Sequence, residues 1–440
     1  MEQPSQNAST PFRHLLYYGS ILTLFLIIHF TPDRINWLVN SIPPLAGLEN
    51  FQPESDLMRI YVPSLKGLAF LCSAGILLIP IFNDVRNRLH NVESKAVTRP
   101  MINAMVVVIL LMILVFNPGS KGLGSDYARI SRNPFTTISG LFNTRLLMPA
   151  FANVLFFRGN WLYYIFSIIL AIIFIALLYS WMKSNSPIPL WQFVSLCTSS
   201  FVIYQFQTPG YPDILVFICF ILVMQDLTSQ ESKLSLLILA LVAYESSLFV
   251  GVILAWRYLQ RKGFFIYILA LIGYVIIWYA SAGFDPAVVF ARHNVSGTPG
   301  YEWFLRSPVK DVLGIFIGNK ILWVVLFWGI VLAWKLKRIR DVWFMTATVL
   351  AGLLMTILAV DTSRLIGYAF PALLVALSMV TRYAPQRKRV LSTLFLINLI
   401  IPSFNLGLNI ELLKSIHWSS GLYERLYSWI PNTVINALAK

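Results

Sequence analysis

The chain has 440 residues, 57% of them hydrophobic and only 12% charged, with a formal net charge of +15. Soluble globular chains carry roughly 25% charge, so this composition excludes an ordinary soluble fold. The basic balance reads as membrane orientation rather than nucleic-acid binding, because short basic loops set the orientation of membrane proteins.

In chain order, apolar runs of transmembrane length fall near 15–30, 64–82, 100–117, 161–182, 190–206, 212–226, 264–281, 312–334, 341–360, 365–380 and 390–408. They predict an all-α, polytopic bundle of about eleven full spans, with residues 1–440 forming one transmembrane unit. The first run, Tyr17 to Phe30, lacks a small-residue cleavage site and reads as a retained helix rather than a signal peptide. No internal repeat or linker is visible.

Basic loops fix the sides. Arg86, Arg88, Lys95 and Arg99 lie in 83–99; Arg257, Arg261 and Lys262 in 257–263; Lys335, Lys337, Arg338 and Arg340 in 335–340; Arg382, Arg387, Lys388 and Arg389 in 382–389. All belong on the cytoplasmic side, with the N-terminus. A single crossing by 234–256 would put the last three of these loops outside, whereas a segment that enters and returns keeps all three inside. Its centre, LVAYESSLF, carries Glu245 in an apolar setting. A half-helix pair meeting near Tyr244–Ser247 satisfies both facts, since irregular backbone at membrane depth is tolerated only inside protein or beside a wet cavity. The rival is a simple crossing with 190–226 taken as one span. Either way 118–160, 282–311 and 361–364 lie outside. So does 409–440, where Trp418, Tyr423, Tyr427 and Trp429 suit an interfacial tail.

The stretch GSDYARISRNPFTTISGLFNTRLLMP, 124–149, is too polar for a span and too apolar for a loop. It predicts surface helices within the 118–160 outer loop. Asp126 can take a proton from an attacking hydroxyl or coordinate a divalent metal; alternatively it is a loop acid, solvated or paired with Arg129. Arg129, Arg132 and Arg145 can grip a phosphate in bidentate fashion or touch anionic headgroups. Arg145 stands out because it interrupts an apolar run. Glu245 either lines a cavity or ties two helices together. Asp361 and Arg364, in AVDTSRLIGYAFP, share a helix face and form either a local ion pair or a contact to a headgroup at the cavity rim. Asp213 in TPGYPD reads first as a helix cap. His293 reads as a solvated loop histidine. Asn294-Val-Ser296 and Asn7-Ala-Ser9 match the short glycosylation sequon.

Cys72, Cys197 and Cys219 all lie in apolar runs without CxxC spacing, so neither a disulfide framework nor a thiolate metal site is expected. No P-loop, GxGxxG, HExxH or GxSxG is present to support nucleotide, nicotinamide, zinc-protease or serine-hydrolase chemistry.

Taken together, GSDYARI, RLLMPAFANVLF, YPDILVF, YESSLFVGVILAW and DTSRLIGYAFPALL resemble the GT-C class of integral-membrane glycosyltransferases. The resemblance implies a polyprenyl-phosphate-linked sugar donor, a saccharide, lipid or protein acceptor, and a catalytic acid in a large outer loop. That role would fall on Asp126, with arginines serving the donor phosphate and Glu245, Asp361 and Arg364 beside the substrates. Here the acid follows the third predicted helix rather than the first. It stands alone rather than as DD or DxD, so no metal site is assigned and a divalent ion at Asp126 is left open. The expected location is a bacterial inner membrane. Two other functions fit the same composition: an envelope-polysaccharide polymerase or ligase of another fold, in which His293 would matter more, and a transporter or lipid flippase, which would show inverted repeats.

Overall fold

The computed structural model describes residues 10–29, 56–89, 102–111, 124–135, 145–207, 209–225, 229–281, 284, 302, 308–358 and 362–401. All regular structure among them is helical. In chain order the helices are α1 (Thr10–His29), α2 (Asp56–Leu89), α3 (Ile102–Leu111), α4 (Gly124–Ile130), α5 (Leu147–Val154), α6 (Asn160–Asn185), α7 (Leu190–Cys197), α8 (Ser200–Gln207) and α9 (Asp213–Met224). Then come α10 (Gln230–Ala243), α11 (Ser247–Tyr258), α12 (Arg261–Ala280), α13 (Pro308–Asn319), α14 (Leu322–Lys335), α15 (Ile339–Leu358), α16 (Thr362–Leu365), a 3-10 turn (Ile366–Ala369), α17 (Phe370–Tyr383) and α18 (Lys388–Ile400).

Among the described residues, five helical stretches are long and apolar enough to cross a membrane: Leu65–Asn87, Trp161–Asn185, Arg261–Ala280, Ile339–Leu358 and Ile366–Tyr383. A sixth span exists if the bent pair α13–α14 counts as one. Among the described residues, unbroken helices therefore do not reach the number of spans expected from the apolar runs. The reason is local. The run 190–206 breaks at Thr198–Ser199, the run 312–334 bends by 74° where α13 meets α14, and α9 has only 12 residues, about 18 Å of helix against a hydrocarbon core of about 30 Å. The expected tail 409–440 lies outside the described residues, as do Asp361, His293, Asn294 and Asn7.

A chain of side-chain contacts gathers the basic loops at one end of the bundle. Asp84 at the end of α2 accepts from the Ser229 amide, 2.7 Å, and from the Ser232 hydroxyl. Arg257 pairs with Asp341, which also holds Arg338 at 2.6 Å. Arg340 donates to the Arg257 carbonyl. Arg338 reaches the Tyr383 hydroxyl at 2.9 Å, and Arg382 the Asn185 carbonyl at 3.2 Å. With Gln230 bonded to the Tyr258 carbonyl as well, six connections that are far apart in sequence share one level.

The segment 230–258 is a helical hairpin. Gln230, opening α10, donates to the carbonyl of Tyr258, closing α11, at 3.3 Å, and accepts from the Gln260 amide at 2.8 Å. The chain thus leaves the basic end, breaks at Tyr244–Ser246 and returns to the level where it began. With 14 and 12 residues the two arms are about 21 and 18 Å long, so the tip stops inside the bundle. All but two α10 residues are buried; the tip is the point where this otherwise apolar hairpin becomes polar.

Helices α14 and α17 meet at Gly329. A Cβ there would sit 2.5 Å from both Cα and Cβ of Ala376, so glycine permits backbone approach, as small residues commonly do between membrane helices. Gly329→Val is expected to cost about 1–3 kcal/mol through overpacking, visible as a lower melting temperature of the purified protein in detergent; an unchanged melting temperature would contradict this close approach.

Candidate functional site

The end opposite the basic loops carries the polar residues singled out by sequence. Helix α4 is seated by glycine: a Cβ on Gly124 would lie 2.1 Å from the Pro209 carbonyl oxygen. The facing residue, Gly210, has φ +100°, a left-handed conformation that glycine adopts without strain. Its carbonyl accepts from the Tyr163 hydroxyl at 2.9 Å and its amide donates to Ser167 at 3.0 Å. Helix α5 is joined to the end of α4 by Asn153, whose side-chain amide donates to the carbonyls of Ser131 and Arg132 at 2.8 and 3.0 Å.

Successive residues of α4 point opposite ways. Asp126 faces outward and pairs with Arg129 one turn on, at 3.3 Å, with the arginine side chain 72% exposed. Such exposed pairs contribute little to stability. Arg132 is exposed as well and lies against Gly159. Tyr127 points inward and is fully buried.

Tyr127 opens onto a buried ionic network centred on the hairpin tip. Arg145, just before α5, wraps Glu245: its Nε donates to both carboxylate oxygens at 2.9 and 3.1 Å and its Nη2 to Oε1. Its Nη1 donates to the Tyr127 hydroxyl at 3.1 Å, and its guanidinium lies 4.3 Å from the centre of the Tyr244 ring. On the other side of the tip, Arg364 donates to Asp213 at 3.1 Å and to the Tyr244 hydroxyl at 3.1 Å. Rings of Tyr211, Tyr244 and Tyr204 surround its guanidinium at 5.0, 5.5 and 5.7 Å, close enough for cation–π attraction. Tyr368, one turn after Arg364, donates to the second Asp213 oxygen at 2.7 Å.

The network therefore holds two cations and two carboxylates, and its formal charge sums to zero. That balance is what burial requires, because an unpaired ion in a low-dielectric interior is very costly. Burial works against charge on Arg145, but Glu245 beside it, with its hydrogen bonds, more than restores it; the guanidinium's affinity for its proton is raised overall. Burial pushes the Tyr127 phenol above its ordinary range, which keeps it a neutral hydroxyl. The network is not sealed. Arg364 and Asp213 side chains are 6% and 0% exposed, whereas Glu245 is 17% exposed, so the carboxylate at the tip is the accessible edge.

Of the residues flagged by sequence, the fold brings Arg145, Glu245 and Arg364 together. Asp126, Arg129 and Arg132 lie on the outer surface of the same end, one residue or more from Tyr127, and not in the network. Asp213 is not a cap. The N-cap position of α9 is Pro212, with no side-chain capping bond, and the Asp213 carboxylate is spent on Arg364 and Tyr368. Sequence reasoning gave Asp213 only a local capping role and missed the tyrosines 127, 204, 211, 244 and 368. The available signal was an acid opening a wholly apolar helix with no local partner. Among the described residues, no three His, Cys, Asp or Glu side chains converge where a metal ion would sit.

The fold and site define an integral membrane protein of the all-helical class, with a buried, charge-balanced polar centre near one face. The chain matches no protein-family profile, no curated protein and no solved structure.

Proposed function

We propose that this protein is a membrane glycosyltransferase that moves a sugar from a polyprenyl-phosphate donor to an acceptor hydroxyl. The observation that carries the reading is the meeting of Arg145, Glu245 and Arg364, from three distant stretches, beneath the surface helix that bears Asp126. The topology proposed with it has about eleven crossings plus the returning hairpin, in a bacterial inner membrane. The basic end is cytoplasmic with the N-terminus; the ionic network and the C-terminus are outside.

In this reading Asp126 accepts a proton from the acceptor hydroxyl. The oxygen forms a bond to the anomeric carbon as the bond from that carbon to the phosphate oxygen breaks, and polyprenyl phosphate leaves. Charge gathers on the phosphate during that step, and guanidiniums already fixed in place stabilise it without reorganising. Arg145 is the nearer of the two to the accessible edge. Its fork is filled by Glu245, so a donor phosphate would share or replace that carboxylate.

Asp126→Asn, purified and given a labelled lipid-linked sugar, is expected to lose about 10²- to 10⁴-fold in transfer, the usual contribution of a general base. Undiminished transfer removes Asp126 from the mechanism. A second reading, a transporter, is favoured by the discontinuous helices α7–α8 and α13–α14, since broken helices often build substrate sites at mid-membrane. Net uptake of a solute by vesicles containing the protein, with no transfer in the same preparation, would select it.

A further inference from the structure

A second polar cluster lies deeper, where the two broken helices meet. Lys320 stands at the 74° bend between α13 and α14, fully buried and with φ +51°, a conformation a side-chain-bearing residue seldom adopts. Its ammonium donates to the Thr198 hydroxyl at 3.1 Å and, at 3.4 Å, to the Asn398 carbonyl. Among the described residues no carboxylate lies within 4.0 Å of it. Asn398 turns its amide to Ser195 and Thr198. On residues close in the chain to Thr198 and Lys320, and on Asn398, the fold leaves buried polar atoms without a partner among the described residues: both side-chain amide atoms of Asn319, the hydroxyls of Ser199 and Ser200, and Oδ1 of Asn398. Ser199, Asn319 and Asn398 are 0% exposed and Ser200 is 5% exposed. Ser200 sits against both Gly318 and Gly367, which ties it to the Asn319–Lys320 bend.

Each buried polar group left unsatisfied is unfavourable, and a buried cation with no counterion far more so. Here they occur together at two helix breaks, whereas the buried Arg145, Asp213, Asp341 and Arg364 are each ion-paired. The group offers donors from Lys320, Ser199, Ser200 and the Asn319 amide, and among the described residues it has no acid. Both breaks place a helix C-terminus, at Cys197 and Asn319, beside a helix N-terminus, at Ser200 and Leu322, so the helix ends contribute partial charge of both signs and the ammonium is the distinguishing group. A single ammonium and single-point donors, with no arginine fork, match at most one negative charge; a dianion would leave a net charge in the low-dielectric interior.

We propose that Lys320, with Ser199, Ser200 and Asn319, binds a small monovalent anion, either a free halide or the carboxylate of a small organic molecule. The site is separate from the ionic network at the hairpin tip, and it stands whether or not the chain transfers a sugar.

The test is the melting temperature of the full-length purified protein. Sodium chloride or sodium formate replaces sodium gluconate at constant ionic strength. A saturable rise is expected with chloride, with formate, or with both; the pattern tells a halide site from a carboxylate site. Lys320→Met is expected to abolish the rise, while Arg387→Gln, at the basic end, keeps it. Should Lys320→Met fail to fold, Ser199→Ala and Asn319→Ala are expected to shift the half-saturating anion concentration upward by about tenfold, the loss of one hydrogen bond to a charged group. No anion-dependent change in the wild-type protein overturns the proposal. So does an unchanged response in Lys320→Met, or, where that variant does not fold, in both of the others.

Discussion

Arg364→Met is expected to destabilise the protein by about 3–5 kcal/mol, the usual cost of stranding one partner of a buried ion pair. Asp213 is fully buried, and without Arg364 its charge would keep only the Tyr368 hydroxyl. Three tyrosine rings would also lose the cation they enclose. The expected loss comes from the stranded carboxylate rather than from the bond itself, so the double variant Arg364→Met with Asp213→Leu should recover much of it. Apolar replacement of a whole buried pair is often neutral or stabilising. Unfolding in mixed micelles, measured for both single variants and the double, gives the coupling directly. A double variant as unstable as Arg364→Met alone would show that Asp213 is not the group left stranded.

The second large effect is expected at Arg145, and its signature is geometric. Nε, Nη1 and Nη2 are all engaged, with Glu245 on one side and Tyr127 on the other. Lysine keeps the charge but presents it as a point with no planar fork. Arg145→Lys is therefore expected to recover little of what Arg145→Met loses, about 2–4 kcal/mol given that Glu245 is partly exposed and can rehydrate. The consequence should be local before it is global. Because Glu245 lies at the hairpin tip, amide exchange should quicken at 243–248 while the hairpin base, held by Gln230 and Tyr258, stays protected. Equal stability of Arg145→Lys and wild type would mean that charge alone is what the tip requires.

Much of this architecture was legible in the sequence for reasons that are local or additive. Basic loops repel the low-dielectric interior wherever the chain places them, so 83–99, 257–263, 335–340 and 382–389 read as one side, and contacts such as Arg257–Asp341 join neighbouring loops. Glu245 within LVAYESSLF and Arg145 within an apolar run announce themselves because charge there needs a partner. What did not show was the partner. Asp213 looked like a cap because capping is a local rule, and its true partner lies 151 residues away. The tyrosines of the network were invisible because aromatic residues are common throughout membrane helices. The helix breaks also hid in apolar runs: Gly318-Asn319-Lys320 and Thr198-Ser199-Ser200 carry turn-forming residues, but hydropathy averaged over a window passes across them. Asp126 stood out as the one acid of its stretch; which way it faces on α4 depends on Tyr127 being drawn inward, a tertiary matter.

The central claim is that the polar end beside the hairpin tip receives a phosphate-linked lipid. Crosslinking with a photoactivatable polyprenyl-phosphate sugar, followed by peptide mapping, addresses it most directly. The expected result is labelling within 124–135, 145–158 and 244–256 that excess unlabelled polyprenyl phosphate suppresses and Arg145→Met diminishes. Labelling confined to the basic end around 335–340 and 382–389, or labelling that polyprenyl phosphate fails to suppress, would contradict it.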